Sequence, residues 1–131
     1  MHVSLAATNA AVALSDPGAL PAGARSRMHV LKACRRCRDA CLRLAQVGEV
    51  DGAPSDLART LRTASRLAEI LAKYASHRVE AQRLSPIVSR ACEKAARECT
   101  RCGDDLRLRE CAGACSECAD ALRLLARPGG A

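Results

Sequence analysis

The sequence predicts an all-α fold: an antiparallel, up-down-up-down four-helix bundle with a cysteine-lined core at one end. Three observations predict it. The chain of 131 residues has no Phe, no Trp and one Tyr, so Leu, Ala, Val and Cys must fill its core. Ala and Leu are strong helix formers, and small side chains let helices approach closely. Apolar residues recur at helical spacing in four segments separated by breakers. Finally, the nine cysteines form ladders at offsets of three, four and seven residues, which fall on one face of a helix.

Residues 1–24 read as a loosely ordered leader, with Asp16-Pro17-Gly18 and Leu20-Pro21 as breakers and at most a helical turn around Leu5 to Leu14. Residues 25–127 read as the bundle and 128–131 as a tail. Helix one is expected from about Ser26 to Gln46. Val30, Cys34, Cys37, Cys41 and Leu44 share one stripe, and Arg35, Arg36, Arg38 and Arg43 lie mostly away from it. Gly48 to Pro54 is a loop, after which Ser55 suits an N-cap and Asp56 the first turn.

Helix two is expected from Asp56 to the low eighties. Its inner face is Leu57, Thr60, Leu61, Ala64, Leu67, Ala68, Leu71 and Ala75, without cysteine. Ser85-Pro86 is read as a break, with Ser85 as N-cap and Pro86 opening helix three. That helix runs to Cys102 with Val88, Cys92, Ala95, Cys99 and Cys102 inward. Gly103 suits a helix end, and Asp104 or Asp105 a cap for helix four, about Leu106 to Arg127. Leu108, Cys111, Cys115, Cys118, Leu122 and Leu125 form its inner face, and Pro128-Gly129-Gly130 ends the fold.

Short connections imply antiparallel neighbours, and chain direction then sorts the core. All nine thiols gather in the half beside the 47–55 and 103–106 loops. Val30, Leu67, Leu71, Val88, Leu122 and Leu125 line the other half as hydrocarbon. Cys34 to Cys41 spans about 10 Å at about 1.5 Å per residue, room for a few metal ions. Met28 and His29 fall at the apolar end and read as a solvent-exposed pair, as does His77.

The net charge of +7 is spread over every helix and interleaved with Asp and Glu. With Tyr74 alone to stack bases, this argues against nucleic-acid binding. No run approaches the roughly 20 apolar residues that span a bilayer, so no membrane partner is expected. The N-terminus lacks a charged stretch before its apolar residues, and the cysteine count is odd. The chain therefore reads as cytoplasmic, where thiols stay reduced and serve as metal ligands or catalysts rather than disulfides.

One thiol pair would be ordinary core; nine on facing stripes point to a thiolate metal site. Soft thiolates select Cu(I), Zn(II) or iron–sulfur clusters. Structural zinc takes four thiolates, usually from loops, whereas the Cys-x2-Cys pairs here lie within apparent helix. Four thiolates from neighbouring helices would also suit an iron–sulfur cubane, although the usual sequence run differs. Cu(I) accepts two or three thiolates and bridging sulfurs, and a dense aromatic-free thiol core suits it best. No histidine shares a face with a nearby cysteine, so no nucleophile–base pair is visible and no enzyme is expected.

Three runs carry a family resemblance: Cys34-Arg-Arg-Cys37-Arg-Asp-Ala-Cys41-Leu, Glu98-Cys99-Thr-Arg-Cys102-Gly-Asp-Asp and Glu110-Cys111-Ala-Gly-Ala-Cys115-Ser-Glu-Cys118-Ala-Asp-Ala. They resemble the Cys-x2-Cys-x3-Cys ladders of bacterial copper storage proteins, also called four-helix bundle copper-binding proteins, over roughly residues 25 to 126. The resemblance implies a four-helix bundle, often a homotetramer, that stores or buffers several Cu(I) ions through core thiolates. It implies as ligands Cys34, Cys37, Cys41, Cys92, Cys99, Cys102, Cys111, Cys115 and Cys118. An iron–sulfur or Zn(II) bundle with a redox or regulatory role is the alternative.

Overall fold

A computed structural model describes residues 22–51 and 55–126, and these form four helices. They are α1 (Ala22–Asp51), α2 (Ser55–Lys73), α3 (Arg78–Cys102) and α4 (Leu106–Ala126). Each packs against its sequence neighbour, and α4 closes the ring against α1. Cross-helix contacts fix the directions. Cys34 meets Cys118 at 3.7 Å while Cys41 meets Cys111 at 3.7 Å, so α1 and α4 run antiparallel. Residues 1–21 of the expected leader, residue 127 and the expected tail (128–131), with the helical turn expected near Leu5 and the closing Pro128-Gly129-Gly130, lie outside the described residues.

Composition explains the packing. Small residues such as Ala33, Ala64, Ala68, Ala95 and Ala119 are buried on all four helices and allow close approach. The few polar groups inside are satisfied. Ser65 Oγ donates to the Arg38 carbonyl (3.1 Å) and ties α2 to α1, and Gln82 Nε2 donates to the Leu125 carbonyl (3.4 Å) and ties α3 to α4. Arg36–Glu117 (3.0 Å) and Arg123–Glu93 (2.7 Å) bridge seams at the surface, where such pairs contribute little.

Three expected boundaries are corrected. Helix α1 starts at Ala22, inside the expected leader and ahead of Ser26, and extends beyond Gln46 to Asp51. Helix α2 ends at Lys73, and the break lies at Tyr74–His77 rather than at Ser85-Pro86. There the His77 amide donates to the Tyr74 carbonyl (2.9 Å), and the Ala81 amide restarts the helix on the His77 carbonyl (2.9 Å). Pro86 sits inside α3. A proline forfeits one backbone hydrogen bond, but Ala81, Ser85, Val88, Ser89 and Cys92 form one buried stripe across it. Ser85 serves this stripe by donating its hydroxyl to the Ala81 carbonyl (2.7 Å). Burial of the stripe outweighs the lost bond.

The α3–α4 turn follows expectation. Gly103 ends α3 at φ 156°, where an added Cβ would meet Leu108 Cδ1 at 3.2 Å. Asp105 Oδ1 accepts from the Leu108 amide at 3.0 Å, the N-cap geometry. The apolar half is in place, with Val30, Leu71, Val88, Leu122 and Leu125 buried. Leu67 and Thr60, expected inward, are only partly buried. They sit at the edge of the α2 stripe that Leu57, Leu61, Ala64, Ala68 and Leu71 bury.

Candidate metal centre

Helical periodicity delivers the sulfurs to one line. Cys34, Cys37 and Cys41 rise on α1, Cys92 and Cys99 on α3, and Cys111, Cys115 and Cys118 descend on α4. All eight are buried, at most 1% exposed, and all are free thiols. Cys37 is the hub. Its Sγ lies 3.6 Å from Cys115, 3.7 Å from Cys92 and 4.0 Å from Cys41. Cys41 lies 3.3 Å from Cys115 and 3.7 Å from Cys111, and Cys118 lies 3.7 Å from Cys34. Cys99 neighbours Cys111 at the loop end.

Two groups bring three sulfurs mutually within 4.8 Å: Cys37, Cys41 and Cys115, and Cys37, Cys92 and Cys118. They share Cys37, so the column is two triangles joined at a corner, with Cys34 below and Cys111 and Cys99 above. Both contain only thiols; His29 and His77 are exposed, as is Met28.

Cys102 is corrected. Its inward placement does not hold: it is exposed, in the last residue of α3. It is the residue at which α3 ends, directly before Gly103, and it stands outside the buried stripe that Cys92, Ala95 and Cys99 form.

The sulfurs perturb one another. Hydrogen bonding with Cys115, and then with Cys118, Cys41 and Cys92, pulls the Cys37 thiol well below its usual range against the opposing pull of burial. Cys115, Cys41 and Cys99 do the same for Cys111. The partners move the other way. Cys115 is pushed up by Cys111, Cys37, Cys41 and burial, and Cys118 by Cys34, Cys37, Cys92 and burial. Cys41 is raised chiefly by Cys111, and Cys99 by Cys111 and burial. For Cys92, Cys118 pulls down, but Cys37 and burial together raise it. Ionising one thiol thus makes its neighbours harder to ionise. A cation between them removes that penalty, because it replaces the shared protons.

Spacing alone made Cys34, Cys37 and Cys41 equivalent; the hub role of Cys37 depends on which sulfurs the other helices bring to its height. No sequence signal carries that.

A helical bundle with an internal column of soft thiolate donors defines a soft-metal-binding protein. A family model described as copper storage protein matches residues 20–127. The chain belongs to the copper storage protein family, and its cysteine-lined core supplies the metal-binding chemistry. No curated protein matches the chain, and no solved structure does. Among the described residues, no helix is long and apolar enough to cross a membrane.

Proposed function

We propose that this protein stores or buffers copper in the cytoplasm as Cu(I), several ions at a time, and catalyses no reaction. The eight buried thiols, Cys34, Cys37, Cys41, Cys92, Cys99, Cys111, Cys115 and Cys118, are the ligands in this reading, and the exposed Cys102 stands outside the core set. The observation that carries it is the pair of sulfur triangles sharing Cys37. A metal–sulfur bond of about 2.3 Å sets three sulfurs about 4.0 Å apart around a trigonal ion, close to the 3.6–4.0 Å around Cys37. Tetrahedral zinc needs four mutually close sulfurs, and among the described residues the groups are threes. Eight thiols taken two per ion hold about four Cu(I) ions, and more where sulfurs bridge.

The assembly proposed is a homo-oligomer, a tetramer by family resemblance. Anaerobic Cu(I) titration with elemental analysis tests the core reading. A variant with Cys37, Cys41, Cys92, Cys99, Cys115 and Cys118 changed to Ser is expected to lose most of its copper. Equal copper in this variant and the parent would refute it. A brown protein would support the iron–sulfur alternative, since Cu(I) thiolates are colourless in the visible range.

A further inference from the structure

The thiol column is closed at its lower end by hydrocarbon, because Val30, Leu71, Val88 and Leu122 are each at most 2% exposed. Cargo must reach the sulfurs from the loop end. A cavity of about 180 Å³ lies there, at the seam of α1 and α4. Arg43, Leu44 and Val47 line it from α1, and Arg107, Glu110 and Cys111 from α4. Ala40 completes the lining with a side chain small enough to leave the space open. The volume equals that of several waters at about 30 Å³ each.

Cys111 is 1% exposed and lines this cavity from α4, so it is the sulfur-bearing residue at which the cavity ends. Its Sγ lies 3.7 Å from Cys41, Cys41 lies 3.3 Å from Cys115, and Cys115 lies 3.6 Å from Cys37. The cavity therefore meets the first rung of a sulfur ladder leading to the hub. Its charged lining is two guanidinium groups and one carboxylate. Arg107 approaches Asp105 at 3.7 Å, but both are more than half exposed, so the pair is weak and the guanidinium can still meet an anion.

We propose that this seam is the copper loading port, with Cys111 the first protein ligand. The donor is a small anionic complex in which two thiolates hold Cu(I). The proposal rests on the copper-storage reading and adds the route and the form of the cargo. The Cys111 thiol displaces one carrier thiolate and Cys41 displaces the second. Two carrier Cu–S bonds break and two protein Cu–S bonds form. Cys41 gives its proton to a departing carrier thiolate, any proton on Cys111 leaves in the same way, and copper stays Cu(I) throughout. A bis-thiolate Cu(I) complex is at least a monoanion, which Arg43 and Arg107 attract. The competing route is axial, past the exposed Cys102.

The test mixes the full chain anaerobically with the Cu(I)–glutathione complex. At set times the coloured chelator bathocuproine disulfonate captures copper not yet in the protein. Arg43→Glu combined with Arg107→Glu is expected to slow uptake on the order of tenfold at low salt, with the gap closing as salt rises. Ala40→Phe is expected to slow uptake at every salt concentration, and Cys102→Ser to leave the rate unchanged. All variants should reach the parental copper content at equilibrium. Should Ala40→Phe fail to fold, the charge reversals at exposed positions still decide. Slower uptake in Cys102→Ser, with parental rates in the seam variants, would overturn the port in favour of the axial route. A parent protein that takes up no copper at equilibrium would overturn the storage reading, and the port with it.

Discussion

Cys37→Ser is the most informative single change. Cys37 belongs to both sulfur triangles, so its loss turns two three-sulfur sites into two pairs, Cys41 with Cys115 and Cys92 with Cys118. Cys34 has one described sulfur neighbour, Cys118 at 3.7 Å, so Cys34→Ser removes one contact. If occupancy depends on trigonal sites, Cys37→Ser weakens about two ions and Cys34→Ser at most one. Each lost thiolate that costs about 1.4 kcal/mol of binding lowers affinity about tenfold. The assay is competition with a chromophoric Cu(I) chelator, which counts tightly held ions and ranks their affinities. Folding of the apo-protein should survive. A buried hydroxyl costs roughly 1–3 kcal/mol unpaired, but a helical serine can donate to the carbonyl four residues back, as Ser85 does to Ala81. Equal losses of tight copper in Cys37→Ser and Cys34→Ser would show that the sulfurs act as an undifferentiated pool and would refute the hub.

Other outcomes follow from the same coordinates. The raised thiols Cys41, Cys92, Cys99, Cys115 and Cys118 keep protons that the unfolded chain releases above its ordinary pKa of 9.0. Their contribution is complete below that pH, and apo-protein stability should fall as pH rises above it by about 1.4 kcal/mol per pH unit for each retained proton. Urea midpoints at pH 8 and pH 10 check this, and a midpoint that rises would contradict it. Copper affinity should weaken at low pH, because binding displaces thiol protons. Leu122→Ala opens the hydrocarbon end and should cost about 2–5 kcal/mol in urea unfolding while leaving copper content unchanged; lost copper would mean that metal reaches the apolar half. Pro86→Ala restores a backbone donor at an exposed position inside α3 and should raise stability, by at most about 3 kcal/mol. A lower melting temperature would mean that the proline shapes the helix.

Much of the fold was legible because period and packing agree. The Cys111, Cys115, Cys118, Leu122 and Leu125 stripe on α4 is the buried face, and Gly103 and Asp105 end and start helices as their chemistry suggests. The α2–α3 boundary was misread because Pro86 is a strong local breaker, while the forces that carry α3 through it are tertiary. Those forces are burial of Ala81, Ser85 and Val88 against neighbouring helices. Cys102 was misplaced for a related reason: periodicity assigns a face but does not say which residues on it are buried, and Cys102 is the exposed last residue of α3.

By itself the sequence determined four helices, their order, and the segregation of sulfur from hydrocarbon. These follow from a 3.6-residue period, breaker chemistry and chain direction, which are local quantities. Only the tertiary structure decided that Cys37 joins two triangles, that Cys102 faces solvent, and that a cavity at the α1–α4 seam ends on Cys111. These depend on the relative height and rotation of packed helices, which shift a sulfur by ångströms without changing any spacing along the chain.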